Sequence, residues 1–313
     1  MIKNKVVFWM FLLLIGVGGL VYIRAPQSKI KTIVLETKPI DVASGVRPVS
    51  FESEKETNLF SEGEFVVPFD GYIGAFNPEP INAPKDSLRY VFAYKLGEPD
   101  PICPGTPKRI HVMSIEYNDM GYFSKFGYGY PVKKGEKILI SSAFANFGSD
   151  NQKDTRTKVT IEMLEAKEDL IPITPVYLNI VPCTSLFFVE PKTKGFEKTM
   201  DVSYEVPFDS KIILAGSHVH SFADEINLIR NDKIVWTAKP ALTDKGLNAG
   251  NPVYMNLGGY GYVNEGLQLK KGDKLKLMAK YTNPKDKMID AMGTMLIFLR
   301  PDNGISNKIN IHH

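Results

Sequence analysis

Cysteine, histidine and tryptophan are scarce in this 313-residue chain, which holds two Cys, five His and two Trp. So few cysteines exclude a disulfide-dense scaffold, and Cys103 and Cys183 lie too far apart in sequence for a zinc knuckle or a CxxC redox pair. Outside the cytoplasm they form either one disulfide, closing a loop that the chain-entropy account values at about 4 kcal/mol, or two buried thiols. Acids and bases are interspersed, and the formal net charge is only +3. No basic face is concentrated enough for nucleic acid, and no nucleic-acid partner is expected. No Walker loop, strand-coupled G-x-G-x-x-G or G-x-S-x-G elbow occurs, which removes the common nucleotide and serine-hydrolase signatures. Helical periodicity is nearly absent.

What is present begins with an apolar run, VVFWMFLLLIGVGGLVYI, at residues 6–23. At about 1.5 Å per residue it spans most of a hydrocarbon core of about 30 Å. Lys3 and Lys5 precede it and no small-x-small cleavage site follows, so it reads as an uncleaved signal anchor rather than a removed signal peptide. The expectation is an anchor over residues 1–24, a polar tether over 25–46, and a globular part outside the cytoplasm, joined to the membrane through this N-terminal helix.

Beyond the tether the pattern is β. Runs rich in Val, Ile, Tyr and Phe recur between Gly, Pro, Asn and Asp, among them 88–95, 109–117, 137–145, 157–164, 211–220, 273–282 and 292–300. Asn231-Asp232 between two such runs predicts a tight hairpin.

The chain also says nearly the same thing twice. Val67-Pro68-Phe69-Asp70 recurs as Val206-Pro207-Phe208-Asp209, offset by 139 residues. Val132-Lys133-Lys134-Gly135-Glu136-Lys137-Ile138 recurs as Leu269-Lys270-Lys271-Gly272-Asp273-Lys274-Leu275, offset by 137. Each second motif is followed eight residues later by an asparagine, Asn146 or Asn283. A period this long indicates two similar domains, not a solenoid. Many short strands in a duplicated unit predict two tandem antiparallel jelly-roll β-sandwiches, at 47–175 and 176–301, followed by a tail at 302–313. The Gly-Tyr-Gly-Tyr segments at 127–130 and 259–262 read as tight turns with aromatic packing.

Only the second copy carries a pair of histidines. Ile212-Ile213-Leu214-Ala215-Gly216-Ser217-His218-Val219-His220 reads as a strand, and side chains alternate with period two. His218 and His220 should therefore share a face, about 7 Å apart at Cα, where both can reach one metal ion.

These residues carry a resemblance. Gly216-Ser217-His218-Val219-His220, the Leu269–Tyr281 segment and Asp290-Ala291-Met292-Gly293 together resemble the copper type II, ascorbate-dependent monooxygenases, and Gly129-Tyr130-Pro131-Val132-Lys133-Lys134-Gly135 with Pro182-Cys183 resembles their divergent bacterial and nodulin-like branch. The resemblance covers most of the second domain and patches of the first. It implies one copper ion held by His218, His220 and Met292. Two imidazoles and a thioether make a soft, incompletely filled set that suits copper better than magnesium or calcium, and low pH should compete with it. Met295 is the weaker candidate, because three positions along a strand place it on the other face.

The first domain departs from that family. Its hydroxylases hold a second copper with three histidines, two of them adjacent, whereas here the matching stretch reads Arg109-Ile110-His111-Val112-Met113. The first domain has no other histidine, so the three-histidine site cannot form; His111 reads as structural, and Met113 with Met120 gives only a faint hint of a soft site. The first-copy stretch matching the histidine pair is Asn77-Pro78-Glu79-Pro80-Ile81, and the one matching Met292 lies near Thr155. The family's substrate-binding arginine and tyrosine are replaced by Gly216 and Leu296, so a glycine-extended peptide substrate is not expected. The expected function is a membrane-anchored copper-binding protein with a small-molecule or redox partner. The alternatives are a monooxygenase served by an external reductant or a partner, and a metal-free adhesion or scaffold module.

Overall fold

A computed structural model of the protein describes residues 30–45, 60–114, 123–146, 148–167, 170–184, 186–242, 255–257 and 261–302. The expected anchor, Met120, and the terminal His312 and His313 lie outside these residues. Among the described residues no helix is long and apolar enough to cross a membrane. Regular structure there is β-strand apart from two single 3₁₀ turns, at 85–87 and 124–126.

The first half holds ten strands: β1 (Lys31–Glu36), β2 (Ile40–Val42), β3 (Phe60–Val66), β4 (Gly71–Ile81), β5 (Leu88–Pro99), β6 (Pro107–Ser114), β7 (Tyr128–Val132), β8 (Lys137–Phe144), β9 (Gln152–Glu165) and β10 (Ile171–Pro172). They make two sheets, β1-β9-β4-β7-β10 with β2 also on β9, and β3-β8-β5-β6. Ile73, Phe76, Ile138, Ile140, Val159 and Ile161 fill the space between them. Two features differ from the sequence reading. Residues 31–36 and 40–42, within the expected tether, pair with β9. Gly127 turns at φ of 77°, but Tyr128–Val132 after it is a strand; Gly129 is needed there because a Cβ would meet that of Tyr72 at 2.7 Å.

The second half holds β11 (Thr174–Asn179), β12 (Leu186–Val189), β13 (Phe196–Thr199), β14 (Tyr204–Glu205), β15 (Ser210–Val219), β16 (Ala223–Arg230), β17 (Lys233–Ala238), β18 (Pro240–Leu242), β19 (Met255–Leu257), β20 (Gly261–Leu269), β21 (Lys274–Tyr281) and β22 (Ile289–Pro301). Sheets β11-β22-β15-β20 and β13-β21-β16-β17 enclose a second buried cluster that includes Val176, Leu228, Leu277 and Ile297. The hairpin between β16 and β17 turns through Asn231 and Asp232, both at positive φ as predicted. The protein is thus all-β, built from sandwich-like sheets.

The repeated motifs are the same device used twice. In the first half, Val67 N–H donates to Glu136 O at 2.8 Å and Gly135 N–H donates to Val67 O at 2.9 Å. The Asp70 carboxylate accepts from Lys134 N–H at 2.7 Å. In the second half, Val206 N–H donates to Asp273 O and Gly272 N–H to Val206 O, both at 2.8 Å, while Asp209 accepts from Lys271 N–H at 2.8 Å. Gly135 and Gly272 turn at φ of 88° and 86°, a region that L side chains rarely adopt. Strand β4 leaves the first clasp and β15 the second. Both carry a bulge at the same distance, between Ile73 and Ala75 and between Ile212 and Leu214.

Candidate metal centre at the seam between the two halves

The bulge in β15 decides where its histidines point. Ile212, Ala215 and Val219 lie in the second cluster, whereas Ile213 and Leu214 pack into the first. One inserted residue shifts the alternation, so Gly216, His218 and His220 face away from their own sandwich interior and toward the first half. Strand β22 shows the matching split. Ala291, Met295, Ile297 and Leu299 lie in the second cluster, and Leu296 and Phe298 in the first. Met292 therefore shares the outward face of Leu296 and Phe298, and Met295 lies on the opposite one, as the sequence spacing required.

Strands β15 and β22 pair with His218 opposite Thr294 and Val219 opposite Gly293, where β15 ends, and the backbone N–H groups of His220 and Met292 then meet at one hydroxyl, that of Tyr281. The three candidate ligands thus stand together at one end of two paired strands. The His218 and His220 rings are perpendicular, with centroids 5.5 Å apart. His218 is buried, at 4% exposure, and Met292 at 7%.

Three groups fix this end of the sheet. Asp290 Oδ2 lies 2.7 Å from His220 Nδ1. A carboxylate on Nδ1 sets the tautomer that presents Nε2 outward and raises its basicity, the usual support of a metal-binding imidazole. The Tyr281 hydroxyl accepts from the backbone N–H of His220 at 2.9 Å and of Met292 at 3.2 Å, and donates to Met292 O at 2.5 Å. One buried phenol therefore ties together the backbones of two candidate ligands; burial pushes its pKa well above the ordinary tyrosine range. The third group comes from the first half. Tyr90 on β5 brings its hydroxyl to 3.1 Å from His218 Nε2, with the rings perpendicular and centroids 5.6 Å apart.

Tyr90 belongs to a larger seam. The Phe92 ring lies 6.0 Å from that of Tyr177 on β11, and Arg109 on β6 stands over the same tyrosine at 4.5 Å. Arg109 is also held by Asp100 through two bonds, Nε to Oδ2 at 2.8 Å and Nη2 to Oδ1 at 2.7 Å. Burial would raise the Asp100 pKa, but Arg109 and the backbone N–H groups of Cys103 and Ile102 bring it below the usual carboxylate range. Cys103 is bonded to Cys183, a disulfide that joins the two halves and settles the alternative left open by the sequence. The partners from the first half, Tyr90 above all, had no signal in the sequence.

His111 lies elsewhere. Its ring stacks on Phe76 at 5.2 Å, meets Phe123 edge-on at 5.2 Å, and neither nitrogen has a hydrogen-bond partner among the described residues. Burial alone pushes its pKa down to about 3. Met113 is a buried member of the same core. Gly216 and Leu296, the positions where the resembled hydroxylases carry substrate contacts, face each other across β15 and β22. Among the described residues no three His, Cys, Asp or Glu side chains converge.

No protein-family model matches the sequence, and neither does any curated protein. Among solved structures, the chain is similar to PNGase F, a glycosylasparaginase from Flavobacterium meningosepticum, at 11% identity over 87% of this chain and 96% of that one, with a TM-score of 0.45. It is also similar to the major capsid protein P2 of bacteriophage PM2, at 10% identity over 86% and 97%, with a TM-score of 0.39. Neither likeness assigns an activity.

Proposed function

We propose that this protein is a membrane-anchored, extracytoplasmic copper-binding protein of two jelly-roll domains, with one copper site formed by His218, His220 and Met292. The observation that carries the reading is the common face: the bulge in β15 and the straight course of β22 put all three side chains on one side of two paired strands. The donor set fits the ion. Two imidazoles, one oriented by Asp290, and one thioether are soft enough for Cu(I) and leave coordination positions open. Such an ion supplies one-electron redox chemistry at an incompletely filled coordination sphere. His218, His220 and Met292 would hold it, with Asp290 orienting the His220 ring, Tyr281 fixing the backbones of His220 and Met292, and burial shielding the His218 side. The first half offers no three-histidine site, because its one histidine is spent in an aromatic core. We therefore read the protein as a copper-binding or mononuclear redox protein served by a small-molecule or redox partner, and not as a two-copper hydroxylase.

The test is elemental analysis of the full chain, solubilised in detergent, loaded with copper and dialysed. One copper per chain is expected in the parent and none in a His218→Ala/Met292→Ala variant. No copper in the parent overturns the reading and leaves a scaffold module, and equal copper in both proteins overturns the assignment of the site to His218 and Met292.

A further inference from the structure

We infer that Tyr90, from the first half of the chain, is a fourth ligand of this site, binding through its phenol oxygen when the copper is oxidised. The inference rests on the copper reading above and adds a residue that neither the resemblance nor the histidine spacing assigns.

The argument is one of distance. Nitrogen and oxygen donors bind metals of this type at about 2.0–2.1 Å. Two such donors that are neighbours on one ion, at an angle between square and tetrahedral, lie about 3 Å apart. The Tyr90 hydroxyl and His218 Nε2 lie 3.1 Å apart. The separation that makes this hydrogen bond is also the span of two adjacent ligands, so the ion can enter between them without either strand moving far. On entry the Tyr90 O–H bond breaks, the oxygen–metal bond forms, and the proton leaves to water; no electron is transferred.

Position agrees with distance. Tyr90 and Phe92 alternate on β5 with Val91 and Ala93; the latter two are buried in the first cluster, so Tyr90 and Phe92 share the other face, where Tyr90 reaches His218 and Phe92 meets Tyr177. The seam is fixed independently by the Cys103–Cys183 bond and by Arg109 over Tyr177, so the phenol is presented by a rigid support. Hardness gives the oxidation-state preference: a thioether favours Cu(I), and an anionic oxygen favours Cu(II). The first half, having no copper site of its own, would thus contribute a ligand to the second.

The experiment is a Cu(II) titration of the full chain in detergent, followed by visible absorption and by copper content. Phenolate bound to Cu(II) gives a ligand-to-metal charge-transfer band that imidazole and thioether do not give at the same energy. The parent should bind one copper and show the band. Tyr90→Phe should still bind copper, with affinity lower by roughly tenfold or more, and should lose the band, while Tyr94→Phe keeps it. Copper bound by the parent without the band, or a band that survives in Tyr90→Phe, overturns the ligand assignment and leaves the copper reading standing. No copper in the parent overturns both.

Discussion

Strands β4 and β15 leave matching clasps and pass through matching bulges, yet they end in opposite chemistry. Nine residues after the clasp aspartate, β4 presents Glu79 and β15 presents His218. Glu79 lies at a surface, paired with Lys158 at 2.6 Å, and Ile81 stands opposite Arg156. His218 is buried beneath Tyr90, and the backbones of His220 and Met292 share the Tyr281 hydroxyl. The backbone frame is common, so the difference lies in what covers the face. An exposed ion pair contributes little and is easily replaced. A polar side chain in a covered seam must find partners or cost stability, so every group around His218 is constrained. A candidate site arises in the copy whose outer face the other copy covers.

The largest expected effect comes from exchanging the two faces. Giving β15 the first-copy residues, His218→Glu with His220→Ile, should abolish copper retention measured by elemental analysis. The reciprocal Glu79→His with Ile81→His should add no second copper, because the cations of Lys158 and Arg156 stand directly opposite these positions. A second copper per chain in the reciprocal variant would mean that the histidine pair alone suffices and that the seam is irrelevant.

Next in size is the covalent link across the seam. The Cys103–Cys183 bond spans 80 residues, and its loss in a Cys103→Ser/Cys183→Ser variant should lower stability to denaturant by about 4 kcal/mol. Copper content should not change, since neither cysteine is among the candidate ligands. A loss below about 1 kcal/mol would show that Arg109, Tyr177 and the aromatic contacts hold the halves together unaided.

The two buried histidines give a third contrast. His218 has Tyr90, whereas His111 has only rings around it. With a folded pKa of about 3 against about 6.5 unfolded, the unfolded chain binds more protons between these values. Stability is therefore full above about pH 6.5 and is lost as pH falls toward 3; at pH 4 the His111 share is about 3 kcal/mol. His111→Leu should flatten that part of the acid limb in denaturant titrations at pH 7 and pH 4. An acid limb unchanged by His111→Leu would remove this account.

Much of this contrast was legible in the sequence, for physical reasons that also mark its limit. Alternation placed His218 with His220 and separated Met292 from Met295, because period two is a property of any strand. It did not say which way they faced, since one bulged residue at Ile213 reverses the answer, and its β-branched side chain reads like any strand interior. Strand β4 went unread because Gly71-Tyr72-Ile73-Gly74-Ala75-Phe76-Asn77-Pro78 mixes turn residues into a strand whose pairing to β9 sustains it. Tyr90 and Asp100 were invisible because their partners are set by how the halves meet. Clasp and asparagine were readable because duplication displayed them twice.

The asparagines offer the smallest effect and the closest test of that equivalence. Asn146 donates to Val42 O at 3.1 Å and Asp150 O at 2.7 Å, and accepts from Gly148 N–H at 3.0 Å. Asn283 donates to Val189 O at 3.0 Å, Glu190 O at 2.9 Å and Lys287 O at 2.9 Å, and accepts from Lys285 N–H at 2.9 Å. Each amide ties the second residue after a strand, β8 or β21, to the end of another strand and to a loop, and each is 1% exposed. Replacing either by alanine leaves buried carbonyls without donors, which costs about 1–3 kcal/mol. Asn146→Ala and Asn283→Ala should therefore lose nearly the same stability in equilibrium denaturation, and the double variant should lose their sum, because the two sites share no partner. A loss confined to one of them would mean that the repeat preserved the residue and not its role.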